Sequence, residues 1–387
     1  MYRAPLTIGI EEEYQIIDPN TRELTSYVQQ MLKDGRFVLG SQVTEELMQS
    51  QIEIGTQICR TIEEARFELS RLRRAVAEVA ERHGFAIAAA GTHPFSRWEE
   101  QQISESERYQ TARDAFGIVA RSLLIFGMHI HIGFGTSPQA YAVMLDVYNQ
   151  MRYALPHILA LTTSSPFWEG RDTGLKSYRS VIWENAPRTG IPPTFRSYSE
   201  YEEFVDLLGE VHSVGKDQAS GKADKTMIWW DARPRPDLGT IEIRVSDMCT
   251  TIDEAICIAA ICQAMAALFI KLRERNQSWR IYRTELIEEN KWRALRYGIE
   301  GNLIDFGKGE EVPARFLMRE LTELLDGVAA ELGTREEIAA IHTILERGTS
   351  ADRQLATYRS ALADGASNRE ALLNVVDQLI EETRQGL

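Results

Sequence analysis

Four short segments of this chain alternate strictly between aliphatic and polar residues, and that alternation restricts the fold more than any other feature. In TIGIEEEYQII, Glu11 and Glu13 share one face. In QIEIGT, Glu53 lies between Ile52 and Ile54. In GMHIHIGF, His129 and His131 oppose Met128, Ile130 and Ile132. In TIEIRVSD, Glu242 and Arg244 oppose Ile241, Ile243 and Val245. A strand sends successive side chains to opposite faces, so each segment has one aliphatic and one charged side.

Long amphipathic stretches separate these strands. Thr61 with Glu64 reads as a capping box opening a helix through Leu69, Leu72, Val76 and Val79, which stops at Gly84. Thr251 with Glu254 opens another that runs to about Arg275. Shorter helices are expected at 138–153 and 199–212, and the chain is nearly all helix from about Pro313. Strands with one polar face, separated by helical insertions, predict an α+β fold with a mostly antiparallel sheet. Helices cover its aliphatic face, and its polar face floors a cavity. Residues near 11, 53, 129 and 242 must meet in that cavity, so residues 1–387 are expected to form a single catalytic domain with a mainly helical C-terminal part.

The formal charge is −14, from 57 acidic and 43 basic residues, which disfavours general binding to nucleic acid. The N-terminus reaches Glu11 before an apolar signal region can form, and no run of about 18 apolar residues is evident, so neither a signal peptide nor a membrane span is expected. Cys59, Cys249, Cys257 and Cys262 form no CxxC pair, which suits a reducing cytoplasm.

Solvent-facing strand positions seldom favour glutamate. Four strands here bring four glutamates, two histidines and an arginine to one face, and carboxylates gathered there repel unless a cation lies between them. Carboxylate oxygens suit Mg²⁺ or Mn²⁺, and no HExxH zinc motif is present. Arg244 beside Glu242 suits a transferring phosphoryl group. The chain has no Walker A, GxGxxG or kinase HRD/DFG motif, so a nucleotide would be held by the sheet face and its metals.

The ordered set GIEEEYQIID, QIEIGT, AGTHPF, GMHIHIGF, SPFWEG, WWDARP, TIEIRVSD and ENKWRALRYGIEG resembles the bacterial carboxylate–amine ligases of the glutamate–cysteine ligase type 2 family. The resemblance implies a glutamine-synthetase-like catalytic fold, a sheet forming a funnel with helices behind it. It also implies ATP, two or three Mg²⁺ ions (Mn²⁺ as the substitute) and an acyl-phosphate intermediate. By the same resemblance Glu11, Glu13, Glu46, Glu53, His129 and Glu242 are metal ligands, and Arg244 stabilises the phosphoryl group. His131 is assigned to nucleotide or substrate.

The substrate end is expected in segment 165–196, with Arg171, Lys176, Arg179, Arg188 and Arg196, and in NKWRALRYG, where Trp292, Arg293 and Arg296 are near neighbours on a helix. Of these, Arg171, Arg179, Arg188, Arg293 and Arg296 join the nucleotide- or substrate-binding set, while Trp229 and Trp230 read as core or cavity wall. The implied reaction is ATP-dependent amide formation, with glutamate as acid and cysteine or another small amine as nucleophile. The expected partners are ATP and these small molecules, without nucleic acid or membrane, and a homodimer is the candidate assembly. A metal-dependent hydrolase, a guanidino kinase and a non-enzymatic binding module are the competing readings of the same cluster.

Overall fold

The computed structural model of the protein describes residues 3–211, 214 and 224–387. Its strands are β1 (Ile8–Ile17), β2 (Val43–Glu45), β3 (Gln51–Gly55), β4 (Ala86–Ala88), β5 (Met128–Gly133), β6 (Phe167–Trp168), β7 (Arg171–Asp172), β8 (Ala232–Arg235), β9 (Thr240–Ile243), β10 (Asn302–Asp305) and β11 (Glu310–Pro313). The helices of the first half are α1 (Val28–Leu39), α2 (Ile62–Arg82), α3 (Glu107–Phe116), α4 (Ile118–Arg121), α5 (Pro138–Met151), α6 (Leu155–Thr162) and α7 (Tyr178–Trp183). Those of the second half are α8 (Tyr198–Glu210), α9 (Ile252–Glu274), α10 (Thr284–Tyr297), α11 (Ala314–Leu332), α12 (Arg335–Arg347), α13 (Ser350–Ala363) and α14 (Asn368–Thr383).

The main sheet runs β2-β3-β1-β5-β9-β8, with β4 also paired to β1. Every ladder in it is antiparallel. The aliphatic face carries Ile8, Ile10, Ile52, Ile54, Ile130, Ile132, Ile241 and Ile243, each at most 1% exposed. Helix α9 packs on β5 and β1, α2 on β1 and β4, and α5 on β8 and β9. The fold is thus the α+β sheet with helices on one face that the alternation predicts.

Helix boundaries follow local chemistry. Thr251 and Glu254 form the complete reciprocal capping box. Thr61 caps α2 by accepting the Glu64 N–H at 3.1 Å, but the Glu64 carboxylate takes the Arg60 N–H at 2.7 Å, so only half the expected box forms. Gly84, at φ +79°, follows the end of α2 as predicted. The β8–β9 turn requires Gly239, which has φ +66° and whose Cβ would meet the Gly135 carbonyl oxygen at 2.6 Å.

Three strands of the main sheet escape the sequence pattern. Strands β2 and β4 have three residues each, too few for a period to show. Strand β8 contains Pro234, tolerated because β8 lies at the sheet edge. The expectation that no segment is apolar enough to span a bilayer also needs correction. Among the described residues, α9 meets that criterion by length and composition, with a mean hydropathy of 2.2 over its most apolar stretch. That stretch is 78% buried within the protein, under the sheet and against α11 and α12, so its hydropathy is that of a core helix.

Glu12 points into this core. Its carboxylate pairs with Arg73 of α2 at 2.6 Å, and both side chains are fully buried. Arg73 also donates to the Thr250 carbonyl at 2.7 Å, and the Tyr14 hydroxyl donates to Glu12. Removing one partner strands the other without water or counter-charge. Arg73→Met should therefore destabilise the protein by about 3–5 kcal/mol in denaturant unfolding. Glu12→Gln should lose stability in the same assay while activity per folded molecule is unchanged. Equal stability of wild type and Arg73→Met would show that the pair does not hold sheet to helix.

Candidate active site

Antiparallel register brings the charged residues of distant segments together. Glu13 of β1 lies directly opposite Glu53 of β3, and Glu11 opposite His129 of β5. His131 lies opposite Glu242 of β9, which in turn faces Arg233 of β8. These strands floor a cavity of about 280 Å³ lined by Glu11, Glu13, Glu46, Glu53, His129, Arg179, Glu242 and Arg244.

One end of the floor is anionic. Glu13 and Glu53 are direct cross-strand neighbours, and Glu46, just past β2, lines the same end of the cavity. Burial, followed by the Glu46 charge, pushes the Glu13 carboxyl up to about 8. The same two causes, with Glu11 and Glu13 added, push Glu53 well above the ordinary range. The Gly127 N–H donates to Glu13 at 2.7 Å and Thr44 to Glu53 at 3.1 Å, which orients both carboxylates without neutralising them.

His129 sits beside this cluster. Burial, then the Arg244 charge, lowers its pKa to about 4, so the ring is neutral at neutral pH. Its Nδ1 lies 3.0 Å from a Glu11 oxygen. Nδ1 also lies 3.4 Å from the Arg244 guanidinium, which only donates; with the proton on Nδ1, given to the closer Glu11 carboxylate, Nε2 presents a lone pair. That Nε2 is buried without a hydrogen-bond partner and lies 4.0 Å from a Glu13 oxygen. Ligand atoms of Glu13, Glu53 and His129 all lie within 4.8 Å of one another. A buried, unpaired imidazole lone pair among repelling carboxylates fits a divalent cation.

The other end is cationic, and Glu242 organises it. Arg233 donates to Glu242 at 2.6 Å and 3.1 Å, and Arg244 donates to its other side. Arg235 adds a contact at 3.5 Å. Burial alone would raise the Glu242 pKa, but Arg244 and Arg233 hold it well below the ordinary range. Atoms of Glu11, His129 and Glu242 form a second possible cation group, but both Glu242 oxygens already accept from guanidiniums. Glu242 thus anchors the guanidiniums and also stands within this second possible cation group.

The remaining expected residues divide cleanly. Arg179 on α7 is buried against Gly127, where any Cβ would collide with its guanidinium, and it lines the cavity. Arg188 stacks over the cavity-lining rings of Phe116 and Trp229, at 5.9 and 5.5 Å, from a backbone at φ +60°. His131 lies outside the cavity wall, with Nε2 3.2 Å from Glu11 and Nδ1 3.1 Å from Thr240. Arg171, Arg293 and Arg296 do not line the cavity. Arg171 is exposed on β7, Arg293 pairs with Glu289 and Glu311, and Arg296 donates to the Gly174 carbonyl. Lys176 pairs with Asp352, Arg196 is exposed, and Trp292 is 50% exposed, so none closes the site. Trp229 forms cavity wall and Trp230 packs in the core. Sequence reasoning misses Arg233 and Arg235, although ARPR carries them two residues apart on one face, because Pro234 hides the strand.

The model of "Glutamate-cysteine ligase family 2(GCS2)" matches residues 7–378. The chain belongs to this family. A relative from Herpetosiphon aurantiacus, named "Putative glutamate--cysteine ligase 2", is 50% identical over 99% of this chain and 94% of its own length. A relative of the same name from Chloroflexus aggregans is 50% identical over 98% of this chain and 93% of its own. Among solved structures, a glutamate–cysteine ligase from Francisella tularensis in complex with AMP superimposes with a TM-score of 0.68 at 14% identity, covering 100% of this chain and 90% of that one. A bifunctional glutathione synthetase from Pasteurella multocida gives 0.65 at 14% identity, covering 98% of this chain and 53% of that one. At such identity the likeness shows the fold alone, which this chain shares with the Francisella ligase. The protein is a ligase of the glutamate–cysteine ligase type.

The carboxylate end generates a prediction on stability. Burial and the neighbouring carboxylates hold the Glu53 carboxyl well above its ordinary range, so in metal-free protein Glu53→Gln should gain melting temperature over wild type as pH rises above the ordinary carboxylate range. The same variant should lose most of the stabilisation that Mg²⁺ gives wild type in thermal-shift titration. An unchanged Mg²⁺ response would place the ion elsewhere.

Proposed function

We propose that this protein is an ATP-dependent carboxylate–amine ligase that activates the side-chain carboxylate of glutamate and joins it to cysteine or another small amine. The observation that carries this reading is the division of one cavity into a carboxylate–imidazole end and a guanidinium end. A polyphosphate bound through a cation needs both, and a carboxylate substrate needs the second. The Francisella ligase was solved with AMP, which supports nucleotide binding here. Four buried, unpaired cysteines suit the reducing cytoplasm in which a thiol substrate stays reduced.

Carboxylate is a poor electrophile, and phosphorylation turns its oxygen into a leaving group. The substrate carboxylate attacks the γ-phosphorus and ADP departs. The amine then attacks the acyl phosphate, losing a proton as phosphate leaves. Glu13, Glu53 and Glu46, with His129 Nε2, would hold a divalent ion, Mg²⁺ or Mn²⁺, whose charge offsets that of the phosphates. Arg244 is held by Glu242 with Trp183 beneath it at 5.8 Å, so its guanidinium is oriented before substrate arrives. Such a preorganised donor acts most strongly where charge develops in the transition state. Arg233, Arg235 and Arg179 complete the cationic wall for phosphoryl oxygens and the substrate carboxylate.

The direct test is ADP release in a matrix of acids and amines. Release should require both glutamate and an amine. Nucleotide-independent hydrolysis, or a phosphorylated product that accumulates without an amine, would overturn the ligase assignment. Arg244→Ala should lower kcat by roughly 10²-fold or more, with a much smaller change in nucleotide Kd. Arg244→Lys should restore only part, because a point charge does not reproduce the fork. A normal single-turnover rate of acyl-phosphate formation in a less stable Arg244→Ala would reduce Arg244 to a structural role.

A further inference from the structure

A second cavity lies on the helical side of the protein and shares no residue with the first. It measures about 570 Å³ and is bounded by the turn between α5 and α6, by α6, by Met265 of α9, by the loop entering α10, by the β10–β11 hairpin and by α11. Three aromatic residues converge there. The Tyr153 ring lies 5.5 Å from Trp279 and 5.6 Å from Tyr282, and Phe306 backs Tyr282 at 4.8 Å. Asp305 and Glu320 supply the polar lining, with Glu323 further out on α11.

Each titratable group facing this space leaves it hospitable to a cation. His157 is buried, its pKa lowered to about 4, so it adds no positive charge near neutrality. Burial, then Asp305, Tyr282 and Glu320, raises the Tyr153 hydroxyl, which stays neutral. Two cations stand near the cavity: Lys308, which bridges Asp305 at 3.1 Å and Glu320 at 3.2 Å, and Arg280, 6.0 Å from the Tyr282 ring centroid. The protein has thus already placed an ammonium against this acid pair.

We propose that this cavity is a binding site for a small organic ammonium compound. The Tyr153, Trp279 and Tyr282 rings would surround the cation, and Asp305 and Glu320 would offset its charge. Aromatic faces attract cations that carry little hydration, which is why alkylated ammonium groups are held in aromatic boxes. An apolar ligand of equal shape would gain burial but neither the ring quadrupoles nor the carboxylates. A primary amine would compete with water more weakly than a methylated one.

Choline is the probe, and dimethylbutanol is its uncharged isostere. Calorimetric titration with choline chloride should show saturable binding at one site per chain. Dimethylbutanol should bind at least about fivefold more weakly, and Tyr153→Leu should weaken choline by a similar factor. Lys308→Gln should act in the opposite direction and tighten choline, because it frees Asp305 and Glu320. Lys308 is half exposed, so this variant tests the site even if Tyr153→Leu does not fold. Glu53→Gln should leave choline binding intact, since Glu53 lies in the other cavity. No saturable heat, equal affinity for dimethylbutanol, weaker binding in Lys308→Gln or loss of binding in Glu53→Gln would each overturn the proposal.

Discussion

Glu13 and Glu53 face each other across adjacent antiparallel strands. Like charges directly opposite destabilise a sheet, and burial makes the repulsion worse. The register cannot relax, because a slip of one residue would turn Ile10, Ile52 and Ile54 toward the cavity and lift them off the helical layer. The aliphatic face therefore fixes the carboxylates where they repel, and neighbouring groups must adapt. His129 is neutral and aims an unpaired nitrogen among the carboxylates. Gly127 and Thr44 donate to them. The arrangement is consistent as the seat of a cation and costly as anything else.

The guanidinium end is built on the reverse principle. Arginines are costly to bury singly, and Glu242 draws three of them to one point by accepting from all sides. Arg233 is further tied by the Ile228 carbonyl at 2.6 Å and the Thr226 carbonyl at 2.9 Å. Arg244 remains charged against the cost of burial because Glu242 is beside it. Rotamer entropy is lost on folding, so little more is lost when an anionic ligand arrives.

Much of this was legible in the sequence, because alternation is a local signal with a global consequence. Glu11, Glu13, Glu53, His129, Glu242 and Arg244 could be placed on one face from spacing alone, and Glu12 on the other. Pairing partners could not, since nothing local states that β1 lies between β3 and β5. Cation density does not by itself say which arginines reach the cavity. Arg171, Arg293 and Arg296 sit in arginine-rich segments, yet Arg293 is spoken for by carboxylates one helical turn away and across the hairpin. Arg233 and Arg235 were passed over because proline reads as a strand breaker, a rule that fails at a sheet edge. The apolar run of α9 shows the limit of hydropathy, which does not distinguish burial in lipid from burial in protein.

The net charge of −14 gives the two-ended site a further consequence for the proposed reaction. An acidic chain repels a free polyphosphate at long range and attracts its counter-cations. The carboxylate end, taken alone, strengthens that repulsion. The guanidinium end reverses it inside the cavity, where Arg233 and Arg244 are buried and escape the screening that exposed charges undergo beyond about 8–10 Å at ordinary ionic strength. A nucleotide carrying a divalent ion has much of its charge offset before it reaches the cavity and offers the carboxylates the ion they lack. The free anion has neither advantage. Discrimination for the metal complex over bare nucleotide therefore follows from placing opposite charges at the two ends of one cavity, without a dedicated recognition loop.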